Sequence, residues 1–534
     1  MRITKSICVA FSLLLIASSC GTSKMISTNV ANIDKTPLKI SPIKESDLKR
    51  WSHLDLTKDT IPGMSVDKAY AELLKGKKGV KVIVGVIDSG IDIDHEDLKS
   101  VIWTNPKEIA KNGKDDDKNG FIDDINGWNF LGNSLNENLE MTRILKKKDD
   151  GSENYKNAKI AYDKKKEEIL SSKEQVDFIF KAHKTITDHL KKEKYTLAEL
   201  KAITAVDATL LQSKQVMISI ISQTGPDFID DINDFKEQVY DMLNYNLNLE
   251  FNGRKAVGDN PEDINNKNYG NNIVFGPDKE HALHGTHVAG IIAQVRNNKK
   301  GGDGVANNAL IMAIRAVPNG DEYDKDIALA IRYAVDNGAK VINGSFGKSF
   351  SPNKEWVFDA IKYAASKDVL IVHAAGNDGL DIDLPKNKNY PNDAAEDNQS
   401  EIANNMITVG ALNTTYGSGL VANFSNYGSI NVDVFAPGKE IYATVPNNKY
   451  KFLEGTSMAS PNVAGVAALL RSYYPSLTAA QVKQILMDSG TALNVTVLLG
   501  ENDEKRPFTN ASKSGKMVNA YNALLMAEKM TKKK

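Results

Sequence analysis

Apolar residues in this chain occur in two patterns. Short continuous runs recur at Val82–Ile87, Ala309–Val317, Ala339–Asn343, Val369–Ala374 and Met406–Val409. Such a run has no polar face and reads as a strand covered on both sides, as in a parallel sheet. Between the runs lie helical stripes at Lys325–Asn337 and Trp356–Lys367, and further helices are predicted at about 457–473, 478–488 and 515–530. Strand and helix in alternation form the rhythm of βαβ units. The predicted fold class is α/β, a doubly wound parallel sheet with flanking helices.

The pattern changes between residues 133 and 265. Lysine and glutamate rise, and glycine and proline nearly vanish from 152 to 224. Tyr155, Tyr162, Ile169 and Val176 recur every seven residues, with Ile179 and Ile186 on a neighbouring stripe. This spacing predicts a long amphipathic helix. Helical stretches follow at roughly 196–223 and 227–247, parted by Thr224-Gly225-Pro226. Residues 133–265 therefore read as an all-α insertion that divides the main domain into 51–132 and 266–530.

Composition adds a destination. The 67 basic and 68 acidic side chains nearly cancel, so nothing marks a nucleic-acid partner. Arg2 and Lys5 precede an apolar run from Ile7 to Ala17, then Ser18-Ser19-Cys20. A charged start and a short apolar core form a secretory signal over 1–19, too short to span a membrane. Small residues ahead of a cysteine resemble a bacterial lipoprotein cleavage site, which makes Cys20 the lipidation candidate. The other cysteine, Cys8, lies inside the signal, so the mature chain has no intrachain disulfide to form. Residues 20–50 are polar and read as a flexible tether. The expected product is exported and held to a membrane by its N-terminal lipid, on the periplasmic side or the cell surface.

Three stretches carry candidate chemistry. The Val82–Gly90 stretch ends a buried strand in Asp88, where open α/β sheets place their chemistry. His284-Gly285-Thr286-His287-Val288-Ala289-Gly290 holds two histidines. Gly455–Pro461 sets Ser457 at a turn just ahead of the small apolar run Ala464–Leu470. Taken alone, such a serine is most often an N-cap, although a helix N-terminus also suits a developing negative charge. No G-x-G-x-x-G follows the Asp88 strand, and no H-E-x-x-H supports a metal at His284 and His287.

The order Asp88, His284, Ser457 and the words around them resemble the subtilisin-like serine protease family over roughly 60–132 and 268–490. The resemblance implies Ser457 as nucleophile, His284 as general base and Asp88 as its orienting carboxylate, with His287 structural. Ala374–Gly379 resembles the oxyanion stretch and points to Asn377, with the Ser457 N–H as second donor. Val341–Gly347 resembles the strand that pairs with extended substrate. Ser345, Phe346, Gly347, Ala375 and Gly376 are then the substrate-binding candidates. The family usually places its acid and histidine much closer together, and the insertion accounts for the excess. Both ends of that insertion are tied near the active-site side of the sheet, so it is expected to stand at the rim of the cleft and restrict entry.

Polypeptide substrates, no catalytic cofactor and a monomer are the corresponding expectations. Asp115, Asp117, Asn119 and Gly120 match the start of a calcium loop, with ligands at alternate positions and glycine at the turn. Asn126 stands where an EF-hand has glutamate, and Asp124 or Asp123 is at hand to complete a shorter loop around a structural calcium ion. Two other classes stay open: a catalytically silent protease fold used as a binding or scaffolding lipoprotein, and an esterase or transferase with the same triad.

Overall fold

The computed structural model describes residues 43–224, 228–395, 400–500 and 502–532. The signal, Cys20 and most of the tether lie outside them. The strands are β1 Val82–Asp88, β2 Gly127–Asn129, β3 Ala309–Arg315, β4 Val341–Gly344, β5 Leu370–Ala374, β6 Met406–Leu412 and β7 Val434–Pro437. A hairpin of β8 Ile441–Val445 and β9 Lys449–Leu453 follows, then β10 Thr491–Ala492, β11 Thr496–Leu499, β12 Glu504–Pro507 and β13 Lys516–Met517. Nine of them form one sheet in the order β10-β13-β7-β6-β5-β4-β1-β3-β2, parallel except at β10–β13.

The continuous apolar runs are explained by the two faces. Successive side chains of a strand point to opposite sides. Val84, Val86, Ile311, Ala313, Val341, Leu370 and Val372 pack on one side, with the helices Leu283–Ala293, Thr456–Tyr473 and Ala479–Asp488. Ile87, Met312, Ile314, Ile342 and Ile371 pack on the other, with the helices Asp324–Asp336 and Lys354–Ser366. Neither side of a central strand faces water, so apolar residues fill both, and the polar Asn343 and His373 are buried toward the carboxyl ends. β1 is flanked by β3 and β4, and the chain leaves it in opposite directions. That reversal opens a crevice at the carboxyl ends of the strands.

The helical region is built on Glu153–Leu190, a helix of 38 residues, capped where the Ser152 side chain accepts from Tyr155 N. At 1.5 Å per residue it is about 57 Å long. Ala182, Ile186, Leu200, Leu210, Met217 and Ile221 give its outer part an apolar core of its own. The single helix expected over 196–223 is two: Leu197–Ala202, opened by a Thr196/Glu199 capping box, and Ala208–Thr224. Ile203 is extended and ends the first. β2, β7 and the β8–β9 hairpin were not anticipated either. They are short, and β9 alternates Lys449, Lys451 with Tyr450, Phe452 along a half-exposed ribbon. Among the described residues, no helix is long and apolar enough to cross a membrane.

Candidate active site

The carboxyl ends of β1, β4 and β5 bring the predicted residues together. Asp88 ends β1 and is 1 % exposed. Its Oδ1 accepts from Ser89 N (2.7 Å) and meets His284 Nδ1 at 2.7 Å. His284 lies in the first turn of its helix, and Gly285 makes the approach feasible. A Cβ there would stand 2.2 Å from the Gly90 carbonyl oxygen and 3.1 Å from Asp88 Oδ1. Burial pulls the His284 pKa down, but the charge and hydrogen bond of Asp88 outweigh it and the net shift is upward. Its side chain remains 37 % exposed, open to a reacting group.

His287, three residues on, is buried, and its Nε2 meets the Lys451 carbonyl at 3.1 Å. Burial takes its pKa down to about 3, so it stays neutral. His373 is buried too, with Nε2 at 2.8 Å from the Phe346 carbonyl, and burial takes it to about 4.

Ser457 opens the helix Thr456–Tyr473 behind Gly455, whose φ of +144° favours glycine. Pro461 lies inside that helix and has no N–H for the Ser457 carbonyl four residues back. The Ser345 hydroxyl takes that place, donating to Ser457 O at 2.9 Å, and Asn343 Nδ2 donates to Ser345 Oγ at 2.9 Å. The Ser457 hydroxyl itself donates to the Ser345 carbonyl at 3.2 Å.

Asn377 follows β5 and is fixed through its oxygen. Oδ1 accepts from Thr456 N (2.8 Å) and Thr456 Oγ1 (2.9 Å). That leaves the amide N–H groups to face the site. A methyl at Gly455 would stand 3.4 Å from Asn377 Nδ2 and 3.6 Å from Ser457 N, so the two donors flank one small volume that only glycine leaves open. Two donors close to one point beside a serine are what a developing oxyanion requires.

Among the substrate-binding candidates, Ser345 and Ala375 are buried, Phe346 and Gly376 half-buried and Gly347 exposed. Phe346 leans edge-on against His373. Asn389 was missed by the sequence reading. Its Nδ2 donates to the Ala374 and Ala375 carbonyls (3.3 and 3.1 Å), tying the segment beneath Asn377.

The acidic loop brings two of the expected ligands, Asp115 and Asp117, together with a third carboxylate. Asp115 and Asp117 lie with Glu108, their nearest carboxylate oxygens all within 4.8 Å of one another. Asp124 is turned beneath them, accepting from Tyr333 OH (2.6 Å), Asn105 Nδ2 (3.0 Å) and Asn119 Nδ2 (3.0 Å). Burial raises its pKa to about 6. Asn119 lies in the same loop, its Oδ1 accepting from Phe121 N at 2.8 Å. Glu108 escaped notice because it stands outside the aspartate run and shares no spacing with it.

Comparison with known proteins places the chain in a family. A thermophilic serine proteinase of Bacillus sp. (strain AK1) is 44 % identical over 35 % of this chain and 42 % of its own length. Thermitase of Thermoactinomyces vulgaris is 42 % identical over 35 % of this chain and 61 % of its own. The matches thus span only about two fifths to three fifths of those two relatives. Subtilisin DY of Bacillus licheniformis is 37 % identical over 41 % of this chain and 74 % of its own. A solved protease of Pseudoalteromonas arctica PAMC 21717 aligns with 30 % identity over 46 % of this chain and 70 % of its own, at a TM-score of 0.38. A sequence profile of the subtilase family matches residues 79–510, the stretch that holds Asp88, His284, Asn377 and Ser457, and the chain belongs to that family.

Proposed function

We propose that the chain is an exported serine endopeptidase that cleaves polypeptides through Asp88, His284 and Ser457. The observation that carries this reading is the 2.7 Å contact between His284 Nδ1 and Asp88 Oδ1 at the sheet edge. It fixes the tautomer in which Nε2 is the free base, and it stabilises the imidazolium that forms later. The Ser457 hydroxyl rotates from Ser345 to that nitrogen when substrate arrives. Catalytic hydrogen bonds commonly tighten only in the complex. Ser457 Oγ then attacks the peptide carbonyl as His284 takes its proton. Asn377 Nδ2 and Ser457 N receive the oxyanion. His284 returns the proton to the leaving amine, and water repeats the sequence on the acyl-enzyme. Segments 345–347 and 375–376 would hold the peptide as an added strand. Hydrolysis of casein by the purified protein, with loss of activity on labelling by a fluorophosphonate, tests the reading. The silent-scaffold alternative draws on the hydrogen bond that engages the Ser457 hydroxyl with the Ser345 carbonyl, and absence of labelling would favour it.

Cys20 carries the lipid that anchors the enzyme. Each buried methylene contributes about 0.8 kcal/mol, so several acyl chains hold firmly where one does not. Cys20→Ser is expected to move the protein from the membrane to the soluble fraction; wild-type protein recovered wholly soluble would defeat the assignment.

The acidic loop holds a structural calcium ion. Its donors, Glu108, Asp115 and Asp117, are all oxygens, which suits a hard cation, and Glu108 Oε2 is buried without a protein partner. Binding to the folded state stabilises by about 2.7 kcal/mol at a hundredfold excess over Kd. Chelation is therefore expected to lower Tm by several degrees in calorimetry. An unchanged Tm, with no metal by elemental analysis, would exclude the ion.

A further inference from the structure

Two segments leave the sheet edge on either side of β1. Residues 316–323 continue from β3, and Ala316 N and Val317 N donate to the Asp88 carbonyl at 3.0 and 3.2 Å. Residues 345–353 continue from β4 and include Phe346 and Gly347. The two segments meet at Lys348. Its ammonium donates to the Glu322 carbonyl (2.8 Å) and pairs with Asp324 Oδ1 (2.9 Å), and its side chain is 2 % exposed.

The remaining partner of Lys348 comes from the root of the helical insertion. Glu140 Oε2 accepts from Lys348 Nζ at 2.8 Å and from Arg143 Nη2 at 2.5 Å. Arg143 donates Nη1 to the Asp321 carbonyl (2.8 Å) and Nη2 to the Glu322 carbonyl (3.0 Å), and its guanidinium lies 4.0 Å over the Tyr323 ring. Glu140 N donates to Asp321 Oδ2 at 2.7 Å. The same root grips Asn319: its N–H donates to the Leu135 carbonyl, and its own carbonyl accepts from Glu137 N, both at 2.9 Å. Burial raises the Glu140 pKa, but Arg143 and Lys348 pull it down to about 2, so Glu140 is charged at neutral pH.

A buried ion cluster is a costly way to join two elements, and apolar packing often holds them at least as well. What charged hydrogen bonds add is direction. Lys348 lies two residues past Phe346, directly after the 345–347 segment that would pair with an extended peptide. Moving Lys348 moves that strand. We infer that Glu140 and Arg143 are positioning residues for the peptide-pairing strand, which makes the root of the insertion a part of the substrate groove itself. This rests on the peptidase reading above. It also separates the insertion into two parts. The outer helices pack on their own core, whereas the root is wired into the domain at Glu140 and again where Arg254 grips Asp326 with two bonds, 2.6 and 2.8 Å. Excising 140–260 would strand Lys348 and Asp326 without these partners; excising only the outer helices would not.

The test uses the full-length protein with two substrates, a tetrapeptide anilide and a single-residue ester. The ester reports the nucleophile, and the anilide also needs the paired strand. Glu140→Gln is expected to lower the anilide kcat/KM about 10- to 100-fold, chiefly through KM, and to lower the ester rate much less. Lys348→Arg keeps the cation and is expected to retain most of the anilide-to-ester ratio. A folded Glu140→Gln protein with the wild-type ratio would overturn the inference, since a purely structural role shifts Tm and leaves the ratio alone. Should that variant fail to fold, Glu140→Asp is read by the same ratio, and the wild-type value again overturns it. Wild-type protein that cleaves neither substrate would instead remove the peptidase reading, and the inference with it.

Discussion

Ser457→Ala is expected to lower turnover on the order of a millionfold, the scale known for deleting the nucleophile of a hydrolase in this family. Asp88 and His284 would still be paired, but His284 would have no hydroxyl to activate. The fold should survive. The Ser457 side chain makes one hydrogen bond of 3.2 Å, and the helix start is held by Thr456 and by the Ser345 hydroxyl on the Ser457 carbonyl. Asn377→Ala should cost less, about 10²–10³, because the Ser457 N–H remains as a donor. Casein and a chromogenic peptide, assayed beside circular dichroism, separate loss of chemistry from loss of fold. Hydrolysis retained in the serine variant would end the mechanism.

Asp88→Asn is expected to lower kcat about 10⁴-fold, because an amide at that site favours the wrong imidazole tautomer. This variant also has a signature in pH. Catalysis needs neutral His284, so kcat/KM in the parent should rise with pH through a midpoint above the ordinary value of about 6.5. Burial alone would lower that midpoint; the charge and hydrogen bond of Asp88 are what raise it. With asparagine at 88 only burial remains, and the midpoint of the residual activity should fall below its parent value. Profiles of kcat/KM against pH for the two proteins make the comparison. A midpoint that stays in place would mean that Asp88 does not set the titration of His284.

The reach of the sequence is clearest at β1. The Val82–Ile87 run has no polar residue, so only burial on both faces satisfies it, and Asp88 must then fall at the sheet edge. The nucleophile and base were legible for a related reason. Each is flanked by a glycine the backbone demands, Gly285 where a Cβ would strike the Gly90 carbonyl and Gly455 at a φ of +144°, and those glycines form part of the recognisable words. The long helix was equally plain, since a seven-residue stripe leaves little else to form. The break at 203–207 was not plain. It depends on where Ile203 finds its pocket in the outer core.

What the sequence by itself determined, then, is whatever depends on residues close together in the chain: the buried strands, the helix stripes, and the turns that present Asp88, His284 and Ser457. Tertiary structure decided the rest, because the partners are far apart and no spacing records them. Lys348 and Glu140 are separated by 208 positions, and each taken alone is an ordinary surface charge. Ser345 meets the Ser457 carbonyl across 112 positions, and only because Pro461 has left that carbonyl without its helical donor. Glu108 joins Asp115 and Asp117, while Asp124 sinks toward Tyr333, because packing of the acidic loop on the helix Asp324–Asp336 selects which carboxylates face outward. A local pattern fixes which face of an element is buried. Which distant charge waits there is settled only when the elements pack.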